Sequence, residues 1–168
     1  MRPSNHLMNS NALIRVRVAN DADAAAIASI TNAAFAVETF IEGMRTDAQR
    51  VAQMMQLGEF LVAVERDEWL VASVYVQTRG ARGYFGMLAV DPIYQGKGFG
   101  ARMVQAAEHH CRERGCQAMD ITVLSLRTEL LPFYHRLGYA ESGTEEFHPS
   151  RPLKSGASCY SILMSKSL

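Results

Sequence analysis

The glycine-rich segment Gln95-Gly96-Lys97-Gly98-Phe99-Gly100-Ala101 has the residue types and spacing most specific to one kind of chemistry. It lies between a predicted strand that ends at Val90 and a predicted amphipathic helix that begins near Phe99. Glycines at alternate positions remove side chains where the helix starts, so the first main-chain N–H groups stay open to a ligand. Together with the helix dipole, these groups favour an anion, and a diphosphate suits several convergent N–H donors.

A Walker phosphate-binding loop does not fit this segment. That motif needs a glycine, four residues and then Gly-Lys-Ser/Thr. Here Asp91 stands five positions before Gly96, and Lys97 is followed by glycine. The Walker interpretation is therefore excluded.

A dinucleotide-binding fingerprint fits better but not fully. Gly96, Gly98 and Ala101 match Gly-x-Gly-x-x-Ala, and Asp120 lies about 20 residues further on. In that fold the glycines follow the strand at once, whereas five residues separate Val90 from the first glycine here. The antiparallel hairpin predicted before the loop also disagrees with a βαβ unit, so a nicotinamide oxidoreductase is a distant alternative.

The elements that must position this loop follow from hydrophobic periodicity. Alternating or β-rich runs predict seven strands, at Leu13–Val18, Phe60–Val64, Trp69–Gln77, Tyr84–Val90, Met119–Leu124, Gly138–Ser142 and Tyr160–Met164. Three- and four-residue spacing predicts four helices, at Asn20–Phe35, Thr46–Leu57, Phe99–Arg114 and Thr128–Arg136. This order indicates an α+β or mixed α/β fold with one sheet flanked by helices.

The strand before the loop has an unusual glycine in its middle. Strict alternation would place Tyr84, Gly86, Leu88 and Val90 on one face. Glycine inside a strand often marks a bulge or a close approach to the backbone. We therefore expect an irregularity at Gly86.

Composition limits the functional classes. The 168 residues are 48% hydrophobic, and 17 basic residues balance 17 acidic ones, which predicts one domain over residues 13–168 after a flexible tail at 1–12. No charge excess points to a nucleic acid or to an anionic membrane. The longest apolar run, Phe60–Val64, is far shorter than the roughly 20 residues of a membrane span. With no secretory signal visible, a cytoplasmic location is expected.

The cysteines and histidines do not suggest a metal centre. Cys111, Cys116 and Cys159 form no Cys-x-x-Cys pair and are expected to be small buried thiols. The helical histidines His109, His110 and His135 form no ligand triad. No bound metal is predicted.

Gln95, Gly98 and Gly100 also match the pattern Gln/Arg-x-x-Gly-x-Gly/Ala, which holds the pyrophosphate of coenzyme A in the GNAT superfamily of N-acetyltransferases. Met87–Pro92 before the loop and Phe133–Tyr139 after it resemble the same family in order and spacing. The resemblance covers Ile14 to Lys166. It implies a central, mostly antiparallel twisted sheet of about six to seven strands, flanked by about four helices and splayed at the cofactor strand.

The resemblance also implies where acetyl-CoA binds. Main-chain groups of Leu88, Ala89 and Val90 would pair with the pantetheine arm as an added strand would. The strand around Ile121–Val123 would diverge to leave a slot for the thioester. The pyrophosphate would contact the loop residues Gln95, Gly96, Lys97, Gly98, Phe99, Gly100 and Ala101.

The implied reaction transfers acetyl to a primary amine of a small molecule or peptide by direct attack, through a tetrahedral intermediate. Tyr134 occupies the family position of the general acid, and an N–H near Leu88 would stabilise the oxyanion. An amine of pKa near 10.4 is neutral in only about one molecule in two thousand at pH 7, so a base is needed. Glu38 acting through water is our candidate, with Glu145 and Tyr84 behind it.

Arg127 departs from the family pattern. It stands seven residues before Tyr134, where relatives often carry an asparagine that touches the cofactor. Arg127 could instead reach a phosphate of the cofactor or lie in solvent. A non-catalytic acyl-CoA sensor is the alternative function, and it would tolerate phenylalanine at position 134. The resemblance makes a homodimer plausible, whereas no motif identifies the acceptor.

Overall fold

The computed structural model describes residues 14–66 and 68–168, so the predicted tail at 1–12 lies outside the described residues. Seven strands span Arg15–Val18 (β1), Glu59–Val64 (β2), Leu70–Arg79 (β3), Arg82–Val90 (β4), Ala118–Leu124 (β5), Ala140–Glu146 (β6) and Tyr160–Ser167 (β7). Four α-helices span Ala24–Ala34 (α1), Ala48–Met54 (α2), Phe99–Glu113 (α3) and Leu130–Arg136 (α4). The predicted order of elements is confirmed.

All seven strands form one sheet in the order β1-β2-β3-β4-β5-β7-β6. Every neighbouring pair is antiparallel except β4 and β5, which run parallel. Antiparallel hairpins need only short turns, whereas a parallel pair needs a crossover, and α3 provides it between β4 and β5. The predicted mixed, mostly antiparallel sheet is confirmed.

Local capping explains where several helices begin. The Asn20 side chain accepts from the N–H of Ala22 and the Asp23 carboxylate accepts from the N–H of Asn20, which caps the short 3₁₀ turn leading into α1. Asp47 caps α2 by accepting from the N–H of Arg50. The predicted start of α4 at Thr128 is wrong by two residues, and Pro132 lies in its first turn, where a missing N–H is tolerated.

The helices cover both faces of the sheet. Helices α1 and α2 bury Ile27, Ile30 and Val51 against one face. Helices α3 and α4 bury Met103 and Tyr134, among other side chains, against the other face. Residues of β2 alternate between these two cores, as a strand buried on both sides must.

A bulge in β4 overturns the predicted common face. The register with β3 shifts between Ser73 and Tyr75, opposite Met87, which has a positive φ of 54°. Because the bulge adds one residue, the alternation changes phase there. Tyr84 packs with the α1 core, whereas Leu88 and Val90 pack with the α3 core. The irregularity expected from Gly86 is present one residue later.

Strands β4 and β5 separate after a short ladder. They pair at Arg82 with Ala118, Gly83 with Met119 and Tyr84 with Asp120 only. Beyond that point β5 continues to pair with β7 along its whole length, while β4 stays with β3. The predicted splay is therefore observed.

The cysteines divide into two kinds. Cys111 and Cys116 are buried as predicted, and burial raises the pKa of the Cys111 thiol to about 12. The prediction is wrong for Cys159, which is half-buried just before β7, beside Ser125. Among the described residues no helix is long and apolar enough to cross a bilayer.

A buried ionic network joins α3 to β7. Glu108 accepts hydrogen bonds from the Tyr139 hydroxyl at 2.9 Å and from Lys166 Nζ at 2.9 and 3.1 Å. The Glu108 side chain is only 7% exposed, whereas that of Lys166 is 27% exposed. A buried carboxylate depends on such partners, because desolvation penalises its charge. The network therefore ties the helix after the glycine-rich loop to the far half of the sheet.

Replacing Lys166 by methionine keeps the aliphatic stem and removes the charge that compensates Glu108. We expect Lys166→Met to lower the free energy of unfolding by about 2 kcal/mol, less than for a fully buried pair because Lys166 is partly exposed. Urea denaturation measures this change in the free energy of unfolding. The double variant Glu108→Gln/Lys166→Met should regain most of the loss, since glutamine is neutral and still accepts from Tyr139. Equal midpoints for Lys166→Met and wild type would contradict the network's role.

Candidate active site

The separation of β4 and β5 opens a cavity of about 490 Å³. Its walls come from these two strands, from the end of α1 and from α4. The sequence-predicted residues that line it are Glu38, Tyr84, Leu88, Val90, Gln95, Gly100, Ile121–Val123, Arg127 and Tyr134. The structure thus gathers the predicted catalytic residues and part of the predicted cofactor set around one space.

The glycine-rich loop closes one end of this cavity. Gly96 and Gly98 have φ of 76° and 84°, and a Cβ at either position would meet no atom within 4 Å. Gly98 is the N-cap of α3, so the first N–H groups of a 15-residue helix point out beside open space. At Gly100 a Cβ would lie 3.3 Å from the Phe133 ring, which shows why glycine allows α4 to approach. The arrangement is an anion cradle.

Other predicted cofactor residues differ in what they can offer. The side chains of Ala89 and Phe99 are buried in the two cores, so only their main chains can reach a ligand. Lys97 is exposed, and its Nζ lies 5.5 Å from the Tyr94 ring centre. Ala101 is half-buried in the first turn of α3. The Gln95 amide donates to the Val90 carbonyl at 3.2 Å and so links loop to strand.

Tyr134 lies at the inner wall of the cavity, on α4. It is 8% exposed and packs against the rings of Phe85, Phe133 and Tyr139. This burial raises the pKa of its hydroxyl to about 12, since desolvation penalises the phenolate. The hydroxyl makes no hydrogen bond to a described residue. Tyr134 is therefore a protonated, available donor at neutral pH.

Glu38 is buried rather than exposed at a helix end. It follows the 3₁₀ turn Phe35–Val37 and is 7% exposed. Its Oε1 accepts from Arg127 Nη1 at 2.8 Å, and its Oε2 lies 3.6 Å from Arg45 Nη1. Two guanidinium groups therefore share one carboxylate at the α1 end of the cavity.

Of the two alternatives for Arg127, a position in solvent does not agree with the structure. Its side chain is 13% exposed because the ion pair with Glu38 draws it against the cavity wall. Its Nε donates to Glu129, and its guanidinium carbon lies 6.0 Å from the centre of the Phe35 ring. Contact between Arg127 and the cofactor stays a prediction.

Two residues of the cavity wall, Arg45 and Phe35, were not predicted from the sequence. Arg45 lines the wall and stacks over Phe35 at 5.3 Å. It lies in an irregular segment before α2, where periodicity gives no signal.

Of the two secondary base candidates, Tyr84 lines the cavity and burial raises its pKa, whereas Glu145 is exposed on β6. In ranges 14–66 and 68–168, no group of three His, Cys, Asp or Glu side chains is placed to hold a metal ion.

Three curated relatives match part of this chain. Mycothiol acetyltransferase of Propionibacterium freudenreichii is 32% identical over 74 residues, 44% of this chain and 24% of that protein. Glucosamine 6-phosphate N-acetyltransferase 1 of Oryza sativa is 29% identical over 76 residues, 45% and 44% of the two chains. An acetyltransferase of Yersinia pestis is 33% identical over 85 residues, 51% and 60%. The matched segments thus span 24% to 60% of these relatives.

Solved structures match almost the whole fold. Salmonella typhimurium yncA, solved with its cofactor acetyl-CoA, superposes with a TM-score of 0.71 at 23% identity, covering 93% of this chain and 94% of that one. The ribosomal-protein-S18-alanine N-acetyltransferase of Escherichia coli gives 0.73 at 16% identity, covering 92% and 94%. At these identities the likeness shows a shared fold.

A family model described as "Acetyltransferase (GNAT) domain" matches residues 19–149, which is most of the chain. This range includes the glycine-rich loop, the splayed strands, Tyr134 and all of the cavity lining except Ser161. The fold and the motifs therefore agree with an independent comparison of the sequence. The chain belongs to the GNAT family of acetyltransferases.

Proposed function

We propose that this protein transfers an acetyl group from acetyl-CoA to a primary amine of a small molecule or peptide. The observation that carries the proposal is the Tyr134 hydroxyl, protonated and free, in a cavity that begins at an anion cradle. Family membership supports acetyl transfer. The named activities of the relatives support an amine acceptor, and a neighbour solved with acetyl-CoA supports the cosubstrate.

The residues present fit acetyl-CoA. Gly96 and Gly98 leave space where side chains would block a pyrophosphate, and the start of α3 offers N–H donors. Beyond Tyr84, the edge of β4 that faces β5 has no partner strand among the described residues. Main-chain groups at such an edge can pair with an extended arm. The cavity wall beside Leu88 and Val90 is mostly apolar, as a thioester would require.

The residues then have distinct roles. Acetyl-CoA supplies a thioester whose carbonyl carbon the amine nitrogen attacks, so that the C–N bond forms and the C–S bond breaks. A main-chain N–H near Leu88, beside the bulge at Met87, stabilises the negative charge on the carbonyl oxygen. Tyr134 donates its hydroxyl proton to the departing sulfur. The sequence predicts Glu38 as the base that takes the amine proton through a water molecule, but its carboxylate is engaged by Arg127 and Arg45.

Gly98→Glu tests the cradle, because it places a carboxylate and its bulk where the pyrophosphate would lie. Gly98→Asn is the matched control, since asparagine tolerates the left-handed conformation and carries no charge. We expect calorimetric binding of acetyl-CoA to weaken at least tenfold more in Gly98→Glu than in Gly98→Asn. Equal affinity in the two variants would overturn the assignment of this loop.

Tyr134→Phe tests catalysis separately from binding. Loss of a positioned general acid typically slows a reaction by roughly 10²- to 10⁴-fold, so kcat should fall by at least about 10². The calorimetric affinity for acetyl-CoA should change by less than about threefold, because the ring still packs against Phe85. An unchanged kcat would remove Tyr134 from the mechanism, and no turnover in wild type would favour the non-catalytic sensor.

The raised pKa of Tyr134 predicts the alkaline behaviour. An acid with a pKa of about 12 stays protonated up to roughly pH 11, whereas an ordinary tyrosine loses its proton near pH 10. We expect kcat of the wild-type protein, measured from pH 7 to 10.5, to show no descending limb with a midpoint near pH 10. A descending limb centred at pH 10 in wild type, absent from the residual activity of Tyr134→Phe, would contradict a raised pKa for the Tyr134 hydroxyl.

A further inference from the structure

The charges that line the cavity do not balance. Among the described residues, its charged lining side chains are Glu38, Arg45 and Arg127, one negative and two positive. From this surplus we infer that the acetylated amine carries an oxyanion, a carboxylate in a free amino acid or a phosphate in an amino sugar, and that Arg45 binds it. The inference rests on the proposed acetyl transfer.

Arg45 has the donors such a group needs. A guanidinium offers five N–H donors in a planar fork that matches a carboxylate or phosphate. Arg45 makes no hydrogen bond to a described residue: its contacts are the 3.6 Å ion pair with Glu38 and the Phe35 ring at 5.3 Å. Its side chain is 26% exposed, so an incoming acceptor can reach it. The N–H donors of the Arg45 guanidinium are therefore oriented by these contacts but have no hydrogen-bond acceptor among the described residues.

Arg127 and Glu38 hold this arrangement in place. Arg127 donates hydrogen bonds to two carboxylates of the protein, from Nη1 to Glu38 and from Nε to Glu129. Glu129 is 61% exposed, so water screens its charge, whereas Glu38 is 5% exposed at its side chain. One buried carboxylate between two guanidinium groups leaves a local positive charge that an acceptor's oxyanion would neutralise. Glu38 is then a positioning residue for the two arginines.

The segment that carries Arg45 is fixed by a second loop. Ile41 forms a β-bridge with Leu153, and main-chain hydrogen bonds join Glu42 to Pro152 at 3.0 Å and Lys154 to Phe40 at 2.9 Å. Arg45 also lines a small neighbouring cleft with Arg151, which does not line the cavity itself. A guanidinium held in place loses less entropy on binding. The α1 end of the cavity is therefore a prearranged oxyanion-binding wall.

Matched acceptors test the inference. The twenty common L-amino acids are compared with their carboxamides, and glucosamine 6-phosphate with glucosamine, by the rate of free thiol released from acetyl-CoA. We expect kcat/KM of the best oxyanion-bearing acceptor to exceed that of its neutral counterpart by at least tenfold. Whether the best acceptor is a carboxylate or a phosphate distinguishes the two sources of the oxyanion.

Arg45→Gln should remove this preference. We expect it to lower kcat/KM for the oxyanion-bearing acceptor at least tenfold and to change that of the neutral counterpart by less than threefold. Arg112→Gln, on the exposed side of α3, is the control and should leave both unchanged. Equal rates for acid and amide in wild type, or an unchanged preference in Arg45→Gln, would overturn the inference while acetyl transfer stands.

Product binding keeps the test independent of turnover. The N-acetyl amino acids, their amides and N-acetylglucosamine with and without its 6-phosphate are titrated calorimetrically into the protein saturated with coenzyme A. Tighter binding of an oxyanion-bearing member, lost in Arg45→Gln, supports the inference even if no acceptor turns over, in which case only the proposed transfer fails. Binding of no member, or equal binding of each pair, overturns it.

Glu38→Gln separates positioning from proton transfer. With a positioning role, the KM of the oxyanion-bearing acceptor should rise at least fivefold, kcat should fall less than threefold, and the pH profile of kcat should keep its shape. A general base would instead lower kcat strongly and remove the acidic limb of that profile. The second pattern would overturn the positioning role and confirm Glu38 as the base.

Discussion

The early separation of β4 from β5 is the constraint on which the site depends. The two strands share three residue pairs and then diverge, since β5 continues to pair with β7 and β4 with β3. Main-chain groups at a strand edge need partners. The gap provides the cavity, and under the proposed function a ligand with an extended arm would satisfy these groups.

The bulge at Met87 adjusts this edge. A left-handed conformation in a non-glycine residue is strained, and such strain persists where the surrounding structure fixes it. The extra residue sends Leu88 and Val90 to the α3 face, beside the glycine-rich loop, while Tyr84 stays with α1. Because of this one inserted residue, the side chains before and after the bulge in β4 pack into different cores.

Tyr134 and the charged side chains of the cavity have different surroundings. Tyr134 sits among aromatic rings, where burial holds its hydroxyl protonated, which suits a proton donor. The arginines and Glu38 gather at the α1 end, where they neutralise part of each other's charge. The Glu108 network, outside the cavity, anchors α3 to β7 and so keeps the loop and the far strands in register. Under the proposed function, the proton donor and the arginines that bind the acceptor would line different parts of one cavity.

The role of Tyr134 was predicted from the resemblance of its segment to the GNAT family. The sequence by itself determined the strands, the helices and the glycine-rich start of α3. Each depends on neighbours within a few residues: alternation in strands, three- and four-residue spacing in helices, and glycines at a helix start. The tertiary structure alone decided the phase change at Met87 and the grouping of Glu38, Arg45 and Arg127. Glu38 and Arg127 are 89 residues apart, and Arg45 lies in a segment without periodicity. Contacts of that kind depend on the path of the whole chain, because no local rule relates residues on different elements.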